Sequence, residues 1–222
     1  LTNPDGWEMD IPPFKESEQI IYEVHVKEFS DDPSGGFPEE VRGKYAAFLC
    51  DNTTLHQDGI HPTGLSYLKK LGVTHIQLMP SYDYGSVNEA GTGREFNWGY
   101  DPVNYNVPEG SYSLDPWHGE VRIREMKEMI QSLHRHGFRV IMDVVYNHTY
   151  CADSWFQRTV PWYYYRQNED GSLSDGSGCG NDVASERSMC GRDMLDLVLY
   201  WAEEYQMEGF RFELTGLVDV GR

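Results

Sequence analysis

The sequence predicts an α/β protein built on a parallel sheet, and three observations predict it. Short β-branched, apolar runs alternate with helical patterns, in the order strand, helix, strand, helix, strand, helix, strand. The runs at 20–26, 73–79 and 138–145 read as apolar on both faces, as strands covered by helices are. The loops that leave the strands are long, polar and aromatic, whereas the returns at Gly72 and Gly137 take one or two residues. Parallel neighbours joined through helices imply right-handed crossovers.

Taken in order, residues 1–19 carry Pro4, Pro12, Pro13 and several acids, and read as an extended lead-in. IIYEVHV at 20–26 is the first strand. Residues 30–62 are rich in Gly, Pro, Asp and Asn and form a loop, with room for a short helix around 44–49. Leu65, Leu68 and Leu71, closed by Gly72, mark a helix, and VTHIQLM at 73–79 is the second strand. A second long loop covers 81–119. Ile123, Met126, Met129, Ile130 and Leu133 then line one helix face, with His134, Arg135 and His136 in the last turn. FRVIMDVV at 138–145 is the third strand and 146–189 the third long loop, where the glycines at 176–180 suggest a flexible lid. Met194, Leu195, Val198, Trp201, Ala202 and Tyr205 make the last helix, and 208–214 the fourth strand.

Long loops at the carboxyl ends of parallel strands place the site there, in a barrel and in a doubly wound sheet alike. Neither GxxxxGK[ST] nor a GxGxxG directly after a strand is present. A (β/α)8 barrel needs eight strands and typically about 250 residues. The pattern here holds four strands, so the expected architecture is the N-terminal half, about four βα units, of such a barrel. It spans 20–222 and is truncated after the fourth strand. Two open sheet edges predict association or poor solubility of the isolated chain.

Composition narrows the partners. A net charge of −18 with no Lys/Arg cluster argues against nucleic acid and against an anionic membrane. Aromatic residues at 14% and a mean hydropathy of −0.60 suit a polar ligand with stackable faces, such as a sugar. The four cysteines show no CxxC spacing, which argues against a zinc ribbon and makes free thiols the default, with one disulfide left open. No apolar run is long enough for a membrane span. The chain carries no signal peptide, and the compartment, cytoplasmic or secreted, is not legible.

The chemistry concentrates at three strand ends. On GFRFELTG at 209–216 the period of two sends Arg211 and Glu213 to one face. That pair is either a surface ion pair or part of a site. Asp143, Asn147 and His148 end the third strand, and Trp98, Tyr100 and Asp101 lie in the loop after the second. Asp143 and His148 are also possible metal ligands. No HxH motif or dense ligand set accompanies them, so neither a metal nor a cofactor is expected. Glycoside hydrolysis fits the set. A retaining enzyme needs a nucleophilic carboxylate and an acid about 5–5.5 Å away. A neighbouring Arg keeps such a carboxylate ionised.

These residues carry a resemblance. DVVYNH at 143–148 resembles the first signature region of the α-amylase clan of glycoside hydrolases, and GFRFELTG resembles the second, GFRFDLMG in its debranching branch. FNWGYDP at 96–102 is similar to the YNWGYDP of type I pullulanases, and 64–80 and 176–186 also resemble that family. The similarity runs from about residue 19 onward. It implies a (β/α)8 barrel that hydrolyses α-1,6 bonds of pullulan, starch or glycogen-type α-glucans with retention. It places Tyr100 and His148 at the −1 sugar, Asp101 in the same loop, Arg211 beside the nucleophile, and the nucleophile at position 213. Asn147 and Trp98 are counted with the substrate-binding residues, and Asp143 is the motif aspartate. Position 213 departs from the pattern: Glu stands where the clan has Asp. One added methylene extends the reach by about 1.5 Å, and a misplacement of about 1 Å can cost about 100-fold. Glu208 likewise replaces the Asp of IDGFRFD. The clan's general acid and third carboxylate are expected beyond Arg222. The chain alone is therefore expected to be inactive; the alternative is a non-catalytic α-glucan-binding protein derived from the same barrel.

Overall fold

Four strands form one sheet in chain order: β1 (Ile21–Val24), β2 (His75–Leu78), β3 (Arg139–Val144) and β4 (Gly209–Phe212). The computed structural model describes residues 2–8, 10–91 and 95–219. Every neighbouring pair is parallel, with Ile21 opposite His75, His75 opposite Arg139 and Asp143 opposite Arg211. Parallel strands need a long crossover, and α1 (Gly64–Lys70), α2 (Gly119–Arg135) and α4 (Ser188–Tyr205) lie in the three connections. The sheet does not close, and its edges are apolar: Ile21 of β1 is 51% exposed and Phe212 of β4 is 37% exposed.

The elements differ from expectation mainly at their ends. α2 and α4 begin earlier than the apolar spacing suggests, because their first turns (GEVR and SMCG) are too polar to show it. The short helix expected around 44–49 is a 3-10 segment at Tyr45–Leu49. A five-residue helix, α3 (Trp155–Thr159), stands in the loop after β3 where none was expected, started by a Ser154 hydroxyl that accepts from Gln157 N–H.

The sheet is apolar on one face only. Ile76, Leu78, Val140, Met142 and Val144 are fully buried and join Met126, Met129, Ile130 and Leu133 of α2 in one core. Each such side chain contributes roughly 1.5–3 kcal/mol by leaving water. The intervening residues turn to the opposite face. There β2 presents His75 and Gln77, and Gln77 donates to Glu23 of β1 at 2.9 Å. The expectation of strands apolar on both faces is thus corrected. The helices cover one side, and the other side carries polar groups up to the strand ends.

The lead-in runs along α2. Lys127 donates to Asn3 Oδ1 (2.6 Å) and lies over the Trp7 ring (5.4 Å); Gln131 donates to the Gly6 carbonyl (2.7 Å). Below β3 and β4, His134 lies between two carboxylates, Nδ1 to Asp10 at 3.0 Å and Nε2 to Glu208 at 2.8 Å. The second contact is an ion pair without good hydrogen-bond alignment. Burial pulls the His134 imidazole down, but the two carboxylates outweigh it and hold it above its ordinary value. The four cysteines are free thiols. Among the described residues no helix is long and apolar enough to cross a membrane.

Candidate active site

The site forms where the loop after β2 folds over the ends of β3 and β4. Its placement depends on Gly99. With φ at +88°, a Cβ there would come within 2.5 Å of the Pro80 carbonyl oxygen, so only glycine lets the turn press onto the end of β2. The Asn97 side chain ties this turn, accepting from Gly99 N–H (2.8 Å) and donating to Asp101 Oδ1 (2.9 Å).

Tyr100, the next residue, is held at both ends. Its hydroxyl donates to Asp143 Oδ2 at 2.8 Å, and its carbonyl accepts from His148 Nε2 at 2.7 Å. Asn147 donates to the other ring nitrogen of His148 at 2.9 Å. These partners define a neutral imidazole protonated at Nε2. Burial lowers the His148 pKa, consistent with that form. Both ring nitrogens are therefore engaged within the protein, and His148 reaches the site through the backbone of Tyr100. Neither ring nitrogen of His148 is left over for a ligand in this arrangement.

Arg211 binds two acids. It donates to Asp143 Oδ2 at 2.7 Å and pairs with Glu213 on its own strand. Glu213 N–H continues the ladder by donating to the Val144 carbonyl (3.0 Å), and the chain then turns at Leu214 with φ at +46°. The Asp143 side chain is fully buried, whereas that of Arg211 is 42% exposed. Burial pushes the Asp143 carboxyl up to about 6, against the pull of the Tyr100 hydroxyl and Arg211. The partner shift points the other way, with Asp143 raising Arg211 despite burial. Burial decides at Asp143 because its second oxygen, Oδ1, has no partner. Burial also raises the Asp101 carboxyl, offset in part by Asn97.

A cleft of about 570 Å³ opens over this cluster, lined by Trp98, Tyr100, Arg211 and Glu213 together with Phe96, Met79, Glu23, His25 and Glu28. Among the sequence-selected residues, Trp98, Tyr100, Arg211 and Glu213 face the cleft. Asp143, Asp101, Asn147 and His148 do not line it and act from behind. Sequence analysis missed the contribution of β1. His25 packs against Phe96 at a tilt (4.9 Å between ring centres) and contacts the Asn97 carbonyl at 2.8 Å. The signal was the alternation of Glu23 and His25 within IIYEVHV, hidden by its apolar neighbours. The glycine-rich loop at 176–180, expected as a lid, is pinned: Asp182 accepts from Gly176 N–H (2.7 Å) and Ser177 N–H (3.0 Å), and Asp175 from Gly180 N–H (2.6 Å). Asp143 turns to Tyr100 and Arg211, and His148 to Asn147 and the Tyr100 carbonyl. The acidic group at Asp83, Glu89 and Glu109 is a separate cluster, anchored by the Arg122–Glu89 pair at 2.6 Å.

The arrangement offers an aromatic rim, a carboxylate beside a cation, and a buried acid that orients both. Comparisons with known proteins agree with this picture. The family described as alpha amylase, catalytic domain, matches residues 57–171. The chain is 44% identical over 216 residues to a pullulanase of Bacillus subtilis (strain 168), covering 96% of this chain and 30% of that protein. It is 34% identical to Pullulanase 1, chloroplastic, of Arabidopsis thaliana, over 96% of this chain and 25% of that one. In three dimensions it superposes on the pullulanase of Paenibacillus barengoltzii in complex with maltohexaose and alpha-cyclodextrin. The TM-score is 0.93 and the identity 47%, over 98% of this chain and 34% of that one. The chain thus spans a quarter to a third of the length of these relatives, and its open sheet corresponds to part of a barrel. With the family model matched over more than half its length and its strand-end cluster in place, the chain belongs to the α-amylase catalytic-domain family, in its type I pullulanase branch.

Proposed function

We propose that this chain supplies the sugar-holding half of a catalytic barrel that hydrolyses α-1,6-glucosidic bonds of pullulan, starch or glycogen-type α-glucans with retention. On this view residues 1–19 are a lead-in and 20–222 the partial barrel. The observation that carries the proposal is the contiguous set Tyr100, Asp143, Arg211 and Glu213 at the ends of β3 and β4. Tyr100 offers its ring to the −1 sugar. Asp143 orients Tyr100 and Arg211. The Glu213 carboxylate attacks the anomeric carbon as the bond to the leaving oxygen breaks, and a glycosyl ester forms that water then hydrolyses. The leaving oxygen takes its proton from a group outside these residues, which normally contributes about 10²–10⁴-fold.

The chain by itself should therefore bind maltotriose without turning over pullulan. Calorimetry should show binding that Tyr100→Ala removes, and a reducing-sugar assay should stay at background. Robust turnover by these residues alone would sink the proposal. A second assignment, a glucan-binding protein without catalysis, is favoured by one observation: the Glu213 carboxylate is folded onto Arg211. A Glu213→Asp change in a full-length parent separates the two. Shortening the side chain should raise activity by about tenfold or more if this is a working nucleophile position. No gain would favour binding alone.

A further inference from the structure

A second concavity lies on the far side of the same loops. It measures about 450 Å³ and is lined by Asn104, Trp155, Phe156, Asp193, Asp196 and Leu197 among others. No lining residue is shared with the active-site cleft. Tyr105, one of its lining residues, donates its hydroxyl to the His148 carbonyl at 2.7 Å. The volume falls within the range of small-molecule pockets, roughly 300–1,000 Å³.

Its walls are aromatic. Phe156 stacks on Tyr164 with ring centres 4.4 Å apart and planes 8° apart. Trp155 is 62% exposed, with the Arg158 guanidinium 5.5 Å from its ring centre. Charge selects the ligand class. Asp193 and Asp196 repel anions. Their attraction for cations is blunted, because Arg192 already pairs with Asp196 at 2.9 Å and Arg158 already stands over one face of Trp155. What remains is an indole surface, carboxylate acceptors and an amide, which suits a neutral polyol with an apolar C–H face and outward hydroxyls.

We propose that this pocket is a second α-glucan-binding site, in which one or two glucose units stack on Trp155 and donate hydroxyls to Asp193 and Asp196. The choice of an α-glucan among neutral sugars rests on the function proposed above; the site itself does not. Such a pocket holds a polysaccharide on the protein while another stretch of it enters the cleft, raising the effective concentration there.

The test titrates maltotetraose into the chain and into three variants by calorimetry: Tyr100→Ala, Trp155→Ala and the double variant. Tyr100→Ala should leave a residual binding event, and adding Trp155→Ala should weaken that residue by about tenfold or more, whereas Trp155→Phe, which keeps a ring, should hold it within about threefold. Residual binding unchanged by Trp155→Ala, or none remaining in Tyr100→Ala, overturns the pocket. Binding that ignores Tyr100→Ala but follows Trp155→Ala keeps the pocket and overturns the active-site reading instead. Trp155 is largely exposed, so its loss leaves the core intact.

Discussion

The two ends of the β3–β4 pair carry the same charge pattern and treat it oppositely. At the carboxyl end, Arg211 lies between Asp143 and Glu213; at the amino end, His134 lies between Asp10 and Glu208. In each, two acids share one base. The His134 side chain is fully buried, and Glu208 also accepts from Val140 N–H, so that cluster is closed. The Arg211 side chain is 42% exposed, and Asp143 keeps an oxygen with no partner. The base is buried in one set and opens to solvent in the other. Residue types alone do not distinguish the two; the exposure of the base does.

The contrast breaks most sharply by mutation of the closed end. His134→Ala leaves Glu208 buried without its partner, and should lower the unfolding free energy by about 3–5 kcal/mol in a urea titration. Arg211→Ala at the open end should cost only about 1–2 kcal/mol, because Asp143 can take up a proton, while sugar binding in the cleft is lost. A larger stability loss at Arg211 than at His134 would reverse the assignment of roles.

The pH profile separates the ends by window. His134 has a raised pKa in the folded state, so its contribution is full below its ordinary value near 6.5 and disappears as pH rises through the raised one. The Asp143 carboxyl is also raised, to about 6 from 3.8, so the folded state holds the proton more tightly than the unfolded chain. Its effect is therefore a fall in stability as pH climbs from 3.8 to about 6. Urea midpoints across pH should show both declines; Asp143→Asn should flatten the acidic one and leave the other.

A further effect concerns the turn that brings Tyr100 to the open end. Gly99→Ala would force a Cβ onto the Pro80 carbonyl at a positive φ, and should cost about 1–3 kcal/mol. It should weaken maltotriose binding more than it lowers the melting temperature suggests. Equal binding in the variant would show that Tyr100 is placed by its hydrogen bonds alone.

Much of this was legible in the chain. The order of strands and helices followed from apolar runs and two glycine returns, and the pairing of Arg211 with Glu213 followed from the period of a strand. Asp143 was legible as a strand-end acid. Other features were not. That Asp143 is buried behind Tyr100, and that His148 spends both nitrogens inside the protein, depends on contacts between residues 43 and 48 positions apart. Periodicity carries no such information. Glu23 and His25 were hidden for a different reason: an edge strand with apolar neighbours looks like a buried one until its second face is seen. α3 is too short to leave a pattern.

Tyr100 is clamped at its hydroxyl by Asp143 and at its carbonyl by His148. A side chain tied at its tip, on a backbone that is itself tied, has little rotamer freedom left to lose. Ordering a free side chain on binding costs about 0.5–1.5 kcal/mol, and here that cost is met when the protein folds. On the proposed function a sugar arriving at the cleft would find its platform already in position, and the loop after β2 cannot swing away without breaking contacts to the loop after β3. The two loops behave as one preorganised wall, so changes in either should appear in the ligand's dissociation rate before they appear in its rate of arrival.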